Sequence, residues 1–269
     1  MRRVIALTLC LSCAPAWAAG PSKAYVMIAP PRQSQTQEQA VYGRIAQFLA
    51  QATGAPIRFR YTSNWLTYMA EVHGNKADIY FDGPSFVGWR IARWHDHAAV
   101  ALSGHLKFVL VAKKGGPSLS KVSDLVGRSV CAFSPPNLAT LTLDSSFTNP
   151  ERRPYIVVIH SFREAARNVI DGNCMAALEP LPVYKHQSAQ FPGKLRLAGK
   201  IPGLPNQAFS LSNAMPSALR EKIIAALLSP AGRAATAPLR DIFGHKQLVR
   251  VHDAAYLPYR KLLKAMVGF

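Results

Sequence analysis

With 269 residues, 49% of them hydrophobic and 17% charged, the chain can bury a sizeable core, which excludes a disordered or fibrous polypeptide. Lysine and arginine (32) outnumber aspartate and glutamate (14) to give a net charge of +18. The basic residues are scattered, with no long run and no interleaved aromatics, which argues against a nucleic-acid reader and leaves a general attraction for anions.

The N-terminus reads MRRVIALTLCLSCAPAWAAG. Two arginines, an apolar run from Val4 to Leu11 and small residues around Ala16-Trp17-Ala18 follow the order of a secretory signal peptide. The run is shorter than the roughly 20 residues that span a bilayer. Neither Cys10 nor Cys13 has the residues before it that a lipoprotein signal requires. Export to the periplasm with cleavage near Ala18 is expected, leaving about 250 residues, enough for two domains or one large one.

Short β-prone runs then alternate with helical stretches, the pattern of an α/β fold with largely parallel strands. AYVMIAP predicts a buried strand ended by Pro30. Ala40, Tyr42, Ile45, Phe48 and Leu49 give Gln37–Thr53 an apolar helical face, closed by Gly54. PIRFRYT alternates like a strand, and Ser63-Asn64 starts a helix through Trp65, Tyr68, Met69 and Val72 that stops at Gly74. ADIYFDGPSF (Ala77 to Phe86) is a strand that turns sharply into the helix FVGWRIARW. HAAVALSG and HLKFVLVAKK are the next strands. A second unit follows: SLSKVSDLVGRSVCAF as helix, turn and strand, SPPNLATLTLDSSF as turn and helix, and YIVVIH as strand. SFREAARNVIDG is a helix with a capping box, Ser161 facing Glu164. CMAAL leads a strand into Glu179-Pro180. LRLAGK and NQAFSLS are further strands, and MPSALREKIIAALLS an amphipathic helix.

Once the signal is removed, Cys131 and Cys174 are the remaining cysteines. In an oxidising compartment two cysteines point to one bridge, with two separate buried thiols as the alternative. A bridge would close a loop of about 40 residues, worth roughly 3–4 kcal/mol in the chain-entropy model. No Cys/His spacing resembles a zinc site, and His95 and His97 form an isolated pair at a helix end, so neither metal nor cofactor is expected. There is no Gly-x-Ser-x-Gly elbow, no His-Glu-x-x-His and no phosphate loop, so an enzyme is not expected either.

The stretch from Val41 to Val87 resembles the N-terminal half of the phosphate/phosphite/phosphonate-type periplasmic binding proteins of ABC transporters. The matching features are Tyr42, Thr53-Gly54, Trp65, Tyr68, Gly74, Asp78, Gly83-Pro84 and Phe86. SLSKVSDLVGRSVCAF and ARNVIDGNCMAAL are similar to later elements of that family, and the likeness covers residues 24–230. It implies the two-lobe type II binding-protein fold, each lobe a mostly parallel sheet flanked by helices, joined by two hinge strands. The lobes are expected at 19–104 with 213–269, and at 105–212. It also implies a monomer that carries a small ligand to an inner-membrane permease. The family's Ser-Thr-Ser run at the second-lobe helix start is replaced by Pro136-Asn137-Leu138. Its histidine falls at Phe162, and the aspartate of its Gly-x-x-Asp-Ala at Met175.

In open α/β sheets ligands bind beyond the carboxyl ends of strands. Two helix starts are expected there, Gly83-Pro84-Ser85-Phe86 in one lobe and Asn137-Leu138, after Ser134, in the other. Their unpaired N–H groups favour an anion, although ordinary capping uses the same residues. Asp82 and Glu179 at strand ends would take the cationic part of an amphoteric ligand, or pair with lysine and arginine. Tyr61 and Trp65 would line the rim, Trp65 with a core position as its alternative. The leading expectation is a solute-binding protein for a small oxyanion or organophosphorus compound. The same fold used as a sensor or accessory protein is the alternative, and a binder acting through bulk charge a third.

Overall fold

A computed structural model describes residues 24–244, 247–264, 266 and 269. The expected signal peptide and its cleavage point lie outside the described residues.

The chain begins with β1 (Tyr25–Ile28), the apolar strand read from AYVMIAP. Next comes α1 (Gln35–Glu38), started by a capping box in which the Ser34 hydroxyl accepts from the Gln37 N–H and the Gln37 side chain reaches back. A π-helical turn leads into α2 (Arg44–Thr53), and Gly54 ends it with a φ of 72°. Val41, Tyr42, Ile45 and Leu49 of this stretch pack into the core, as their spacing implies. After β2 (Ile57–Phe59), Asn64 caps α3 (Trp65–His73) by accepting from Thr67 N–H. The strand-turn-helix of ADIYFDGPSF is β3 (Ile79–Asp82) and α4 (Pro84–Trp94), followed by β4 (His97–Leu102).

A short strand, β5 (His105–Leu106), then leads out of the first lobe. The second lobe contains β6 (Phe108–Lys113), β7 (Ser129–Ala132), α5 (Leu138–Ser145) and β8 (Tyr155–Val158). It continues with α6 (Phe162–Asp171), β9 (Ala176–Pro180), α7 (Leu181–Gln190) and β10 (Leu195–Lys200). The chain returns through β11 (Leu204–Pro205) to β12 (Ala208–Leu211), α8 (Ser217–Leu228), α9 (Pro230–Ala235), α10 (Ala237–Ile242) and β13 (Leu248–Arg250). A final 3-10 segment, Leu257–Leu263, packs against α4.

The first sheet has the order β13-β4-β12-β3-β1-β2 and the second β10-β6-β9-β7-β8. Both are mixed rather than largely parallel. Strands linked by a helix on the sheet face run parallel: β1 with β2 and β3, and β7 with β8 and β9. Strands that arrive from the other lobe, β6 and β12, are antiparallel to their neighbours. The reason is geometric: a chain entering a lobe starts at the end where the parallel strands finish. The carboxyl ends of β3 and β9 therefore face the gap between the lobes.

The crossing itself is a two-stranded antiparallel ribbon, with Leu204 opposite Leu106 and Pro205 opposite His105. The expected lobe bounds, 105–212 for the second lobe, put the NQAFSLS strand at the end of that lobe. Instead β12 sits between β3 and β4 with all four residues buried. Burying Phe209 and Leu211 is worth about 1.5–3 kcal/mol each, so this apolar run belongs in a sheet interior and not in an exposed connection.

The second lobe has a core on each sheet face, Leu110, Val130 and Leu178 on one side and Val109, Val111, Cys131 and Ala177 on the other. Cys131 and Cys174 are bridged, with Cα atoms 5.8 Å apart. Adjacent parallel strands bring them together, since β7 pairs with β9 just beyond Cys174.

Candidate ligand-binding cleft

The turn between β3 and α4 is built on a buried ion network. Asp82 is fully buried and accepts two hydrogen bonds from the Arg90 guanidinium, at 2.7 and 2.9 Å, and a third from the Tyr68 hydroxyl. Arg90 also donates to Ser210 Oγ at 2.6 Å, lies over the Tyr80 ring at 3.9 Å and pairs with Asp96 at 3.6 Å. Burial opposes the Arg90 charge, but Asp82 beside it outweighs that and keeps the guanidinium protonated. Asp96, buried against the same group, has its pKa pushed up to about 6 by desolvation, with Arg90 opposing. Asp82 is thus held inside the first lobe, where it follows the alternative expectation of pairing with an arginine and does not line the cleft. Its partner is an arginine two turns along the helix that it precedes.

Above this network, α4 starts with Gly83 as a cap that has no side chain and Pro84 as its first residue, which needs no donor there. The N–H groups of the next residues belong to the unsatisfied first turn. At the far end of the same turn Gly88 permits close packing. A Cβ there would fall 2.3 Å from the Tyr256 carbonyl oxygen and 2.9 Å from Arg260 N.

Between the lobes lies a cavity of about 790 Å³. The first lobe contributes Arg32, Trp65, Gly83, Ser85 and Phe86, the hinge ribbon His105 and Leu106 followed by Lys107, and the second lobe Asn137, Leu138, Phe162 and Leu181 among others. Six of the expected site residues therefore meet at one cavity: Trp65, Gly83, Ser85, Phe86, Asn137 and Leu138. Trp65 fills both of its expected roles, lining the cavity while stacking on Phe86 at 6.3 Å. The two helix starts approach each other so closely that a Cβ on Gly83 would lie 3.7 Å from Leu138 Cδ2.

Pro84, Tyr61, Ser134 and Glu179 are not among the lining residues. Pro84 is buried in the helix start, and Ser134 is exposed and uses its carbonyl to accept from Asn137 N–H at 3.1 Å. Glu179 is 1% exposed and neither of its carboxylate oxygens has a hydrogen-bond partner; burial pushes its pKa up to about 7. It stands opposite Val109 in the sheet, on the face away from Leu178 and Pro180.

Sequence reasoning did not single out Arg32 and Lys107. Both are exposed cations at the cleft, with Asp241 as an acid among the lining residues. The guanidinium of Arg32 lies 5.4 Å over the Phe243 ring. Their signal was position: Arg32 follows the end of β1, and Lys107 sits between the hinge ribbon and β6.

Two mixed sheets joined by a short ribbon, with a cationic cavity at their strand ends, define a two-lobe solute-binding protein. Residues 27–256 match the family model for the phosphonate ABC transporter periplasmic substrate-binding protein, and the chain belongs to that family. It is a substrate-binding component of a transporter, and the family's place is the periplasm. No curated protein matches the sequence.

Among solved structures, the chain is similar to a binding protein component of an ABC phosphonate transporter from Pseudomonas aeruginosa. That likeness has 13% identity and a TM-score of 0.63 over 90% of this chain and 86% of the other. PhnD1 from Prochlorococcus marinus in complex with methylphosphonate gives 12%, 0.66, 92% and 99% in the same order. A Xanthomonas citri protein bound to ATP gives 9%, 0.69, 90% and 96%. At these identities the likenesses establish the fold.

Proposed function

We propose that this chain closes its two lobes about the β5–β11 ribbon on a phosphonate-class oxyanion and delivers it, as a monomer, to an inner-membrane permease. Export with cleavage near Ala18 is part of the same reading. The observation that carries the ligand class is the cavity's first-lobe and hinge side. There the open first turn of α4, with Ser85 and Phe86, stands with Arg32 and Lys107 around one space. A helix start favours an anion through its partial positive charge, and cations that reach it add charge-assisted hydrogen bonds. Gly83, Ser85, Phe86, Asn137, Arg32 and Lys107 are the proposed contacts.

An amphoteric ligand fits less well. Asp82 is engaged by Arg90 and Tyr68, and Glu179 does not line the cavity.

A thermal-shift screen with phosphate, phosphite, phosphonates, sulfonates and amino acids tests this reading. Selective stabilisation by phosphonates that survives at high salt is expected. Stabilisation by every anion alike, vanishing as salt is raised, would leave only bulk charge and would overturn it.

A further inference from the structure

The two sides of the cleft differ in chemistry, and the difference bears on what hangs from the anion. On the second-lobe wall, formed by residues such as Pro136, Leu138, Phe162, Leu178, Leu181 and Val183, Asn137 is the one lining residue with a polar side chain. Its Oδ1 already accepts from Ala139 N–H at 3.0 Å. Several backbone donors of this wall are absent or already used. Pro136, Pro180 and Pro182 have no N–H. Asn137 N–H donates to the Ser134 carbonyl at 3.1 Å, and Leu181 N–H to the Lys107 carbonyl at 2.9 Å. The wall's side chains therefore offer an oxyanion little to bind, although the starts of α5 and α6 stand at its edge with first-turn N–H groups.

Its size points the same way. A cavity of about 790 Å³ lies in the upper part of the roughly 300–1,000 Å³ range of organic-ligand sites. With the lobes as they stand it has room for more than an oxyanion bearing one carbon. The apolar lining continues on the first lobe with Ile242, 48% exposed, and Phe243, Trp65 and Phe86.

We infer that the ligand is an amphiphilic organic anion: one oxyanion head held by the α4 start, Arg32 and Lys107, and an alkyl or aryl substituent of several carbons laid against the second-lobe wall. The cations stand on the first-lobe and hinge side and the second-lobe wall facing them is apolar, and such a molecule matches both. This rests on the proposed oxyanion reading of the cleft and adds the substituent.

The test is calorimetric titration of the exported protein, at fixed ionic strength, with methyl-, butyl-, hexyl- and phenylphosphonate, beside n-alkyl carboxylates and n-alkylsulfonates of matched length. Each buried methylene is expected to tighten binding about fourfold, the factor that ~0.8 kcal/mol per CH₂ corresponds to, until the wall is covered. In Leu138→Ser the gain from methyl to hexyl shrinks. Methylphosphonate binding as tightly as the butyl, hexyl and phenyl compounds would overturn the inference and leave the oxyanion reading standing. A chain-length gain confined to carboxylates or sulfonates would support the apolar wall and sink the phosphonate reading. No binding in any series would overturn both.

Discussion

Each lobe ends a central strand with a buried acid, followed by a proline-led helix at the cleft. In the first lobe Asp82 precedes Gly83-Pro84 and α4; in the second Glu179 precedes Pro180 and α7. Asp82 accepts from Arg90 twice and from Tyr68, whereas neither Glu179 oxygen has a hydrogen-bond partner. The same residue class at comparable positions thus anchors one lobe and strains the other. The contrast shows that a buried carboxylate takes its role from its partners, which lie far off in sequence or one helix away. It also separates the helix starts: α4 is built on a neutralised ion network, whereas α5 and α7 facing it are flanked by prolines and local hydrogen bonds.

The contrast breaks most sharply at Asp82. Asp82→Ala leaves the Arg90 charge buried with Asp96, at 3.6 Å, as its remaining carboxylate, and removing one partner of such a pair costs about 3–5 kcal/mol. Urea unfolding would show this as a lower midpoint with unchanged slope. The disulfide comes next. Reducing Cys131–Cys174, or replacing both by serine, should remove roughly 3–4 kcal/mol, read by the same unfolding curves.

Glu179 should behave in the opposite sense to Asp82. Its folded pKa of about 7 lies above the ordinary 4.5, so the folded state holds the proton more tightly than the unfolded chain. The stability linked to this proton is fully present below pH 4.5 and is lost as pH rises through 7. Glu179→Gln should therefore stabilise the protein by a few kcal/mol at pH 8 and hardly at all at pH 4.5, flattening the pH profile of the melting temperature. A weaker slope of the same sign remains from Asp96, whose pKa of about 6 also lies above its ordinary value. The smallest expected effect is at the far side of α4. Gly88→Ala would press on the Tyr256 carbonyl and cost about 1–3 kcal/mol without altering the charge of the cleft, visible as a lower melting temperature.

Much of this was legible in the residues. The alternation of strand and helix, the Asn64 and Ser161 caps, Gly54 and the meeting of Cys131 with Cys174 all follow from local pattern or from parallel neighbours. The helix starts at Gly83 and Asn137 were readable because proline and glycine mark them. The mixed character of the sheets was not, because strand direction depends on which end of a lobe the chain enters. Gln207–Ser212 looked like a connection, since β-propensity cannot distinguish a hinge from a central strand. Asp82 misled for a related reason: nothing in ADIYFDGPSF reveals that Arg90 folds back beneath it. Arg32 and Lys107 were lost among many basic residues until the hinge put them on one cavity.

The account's central claim is that this cavity holds an oxyanion on its first-lobe and hinge side. Calorimetric titration of the wild type and the Arg32→Ala/Lys107→Ala double variant with butylphosphonate tests it most directly. The prediction is 1:1 binding that weakens by about tenfold or more in the variant, as loss of charge-assisted hydrogen bonds implies. Equal affinity in the two proteins, or no binding to the wild type, would contradict it.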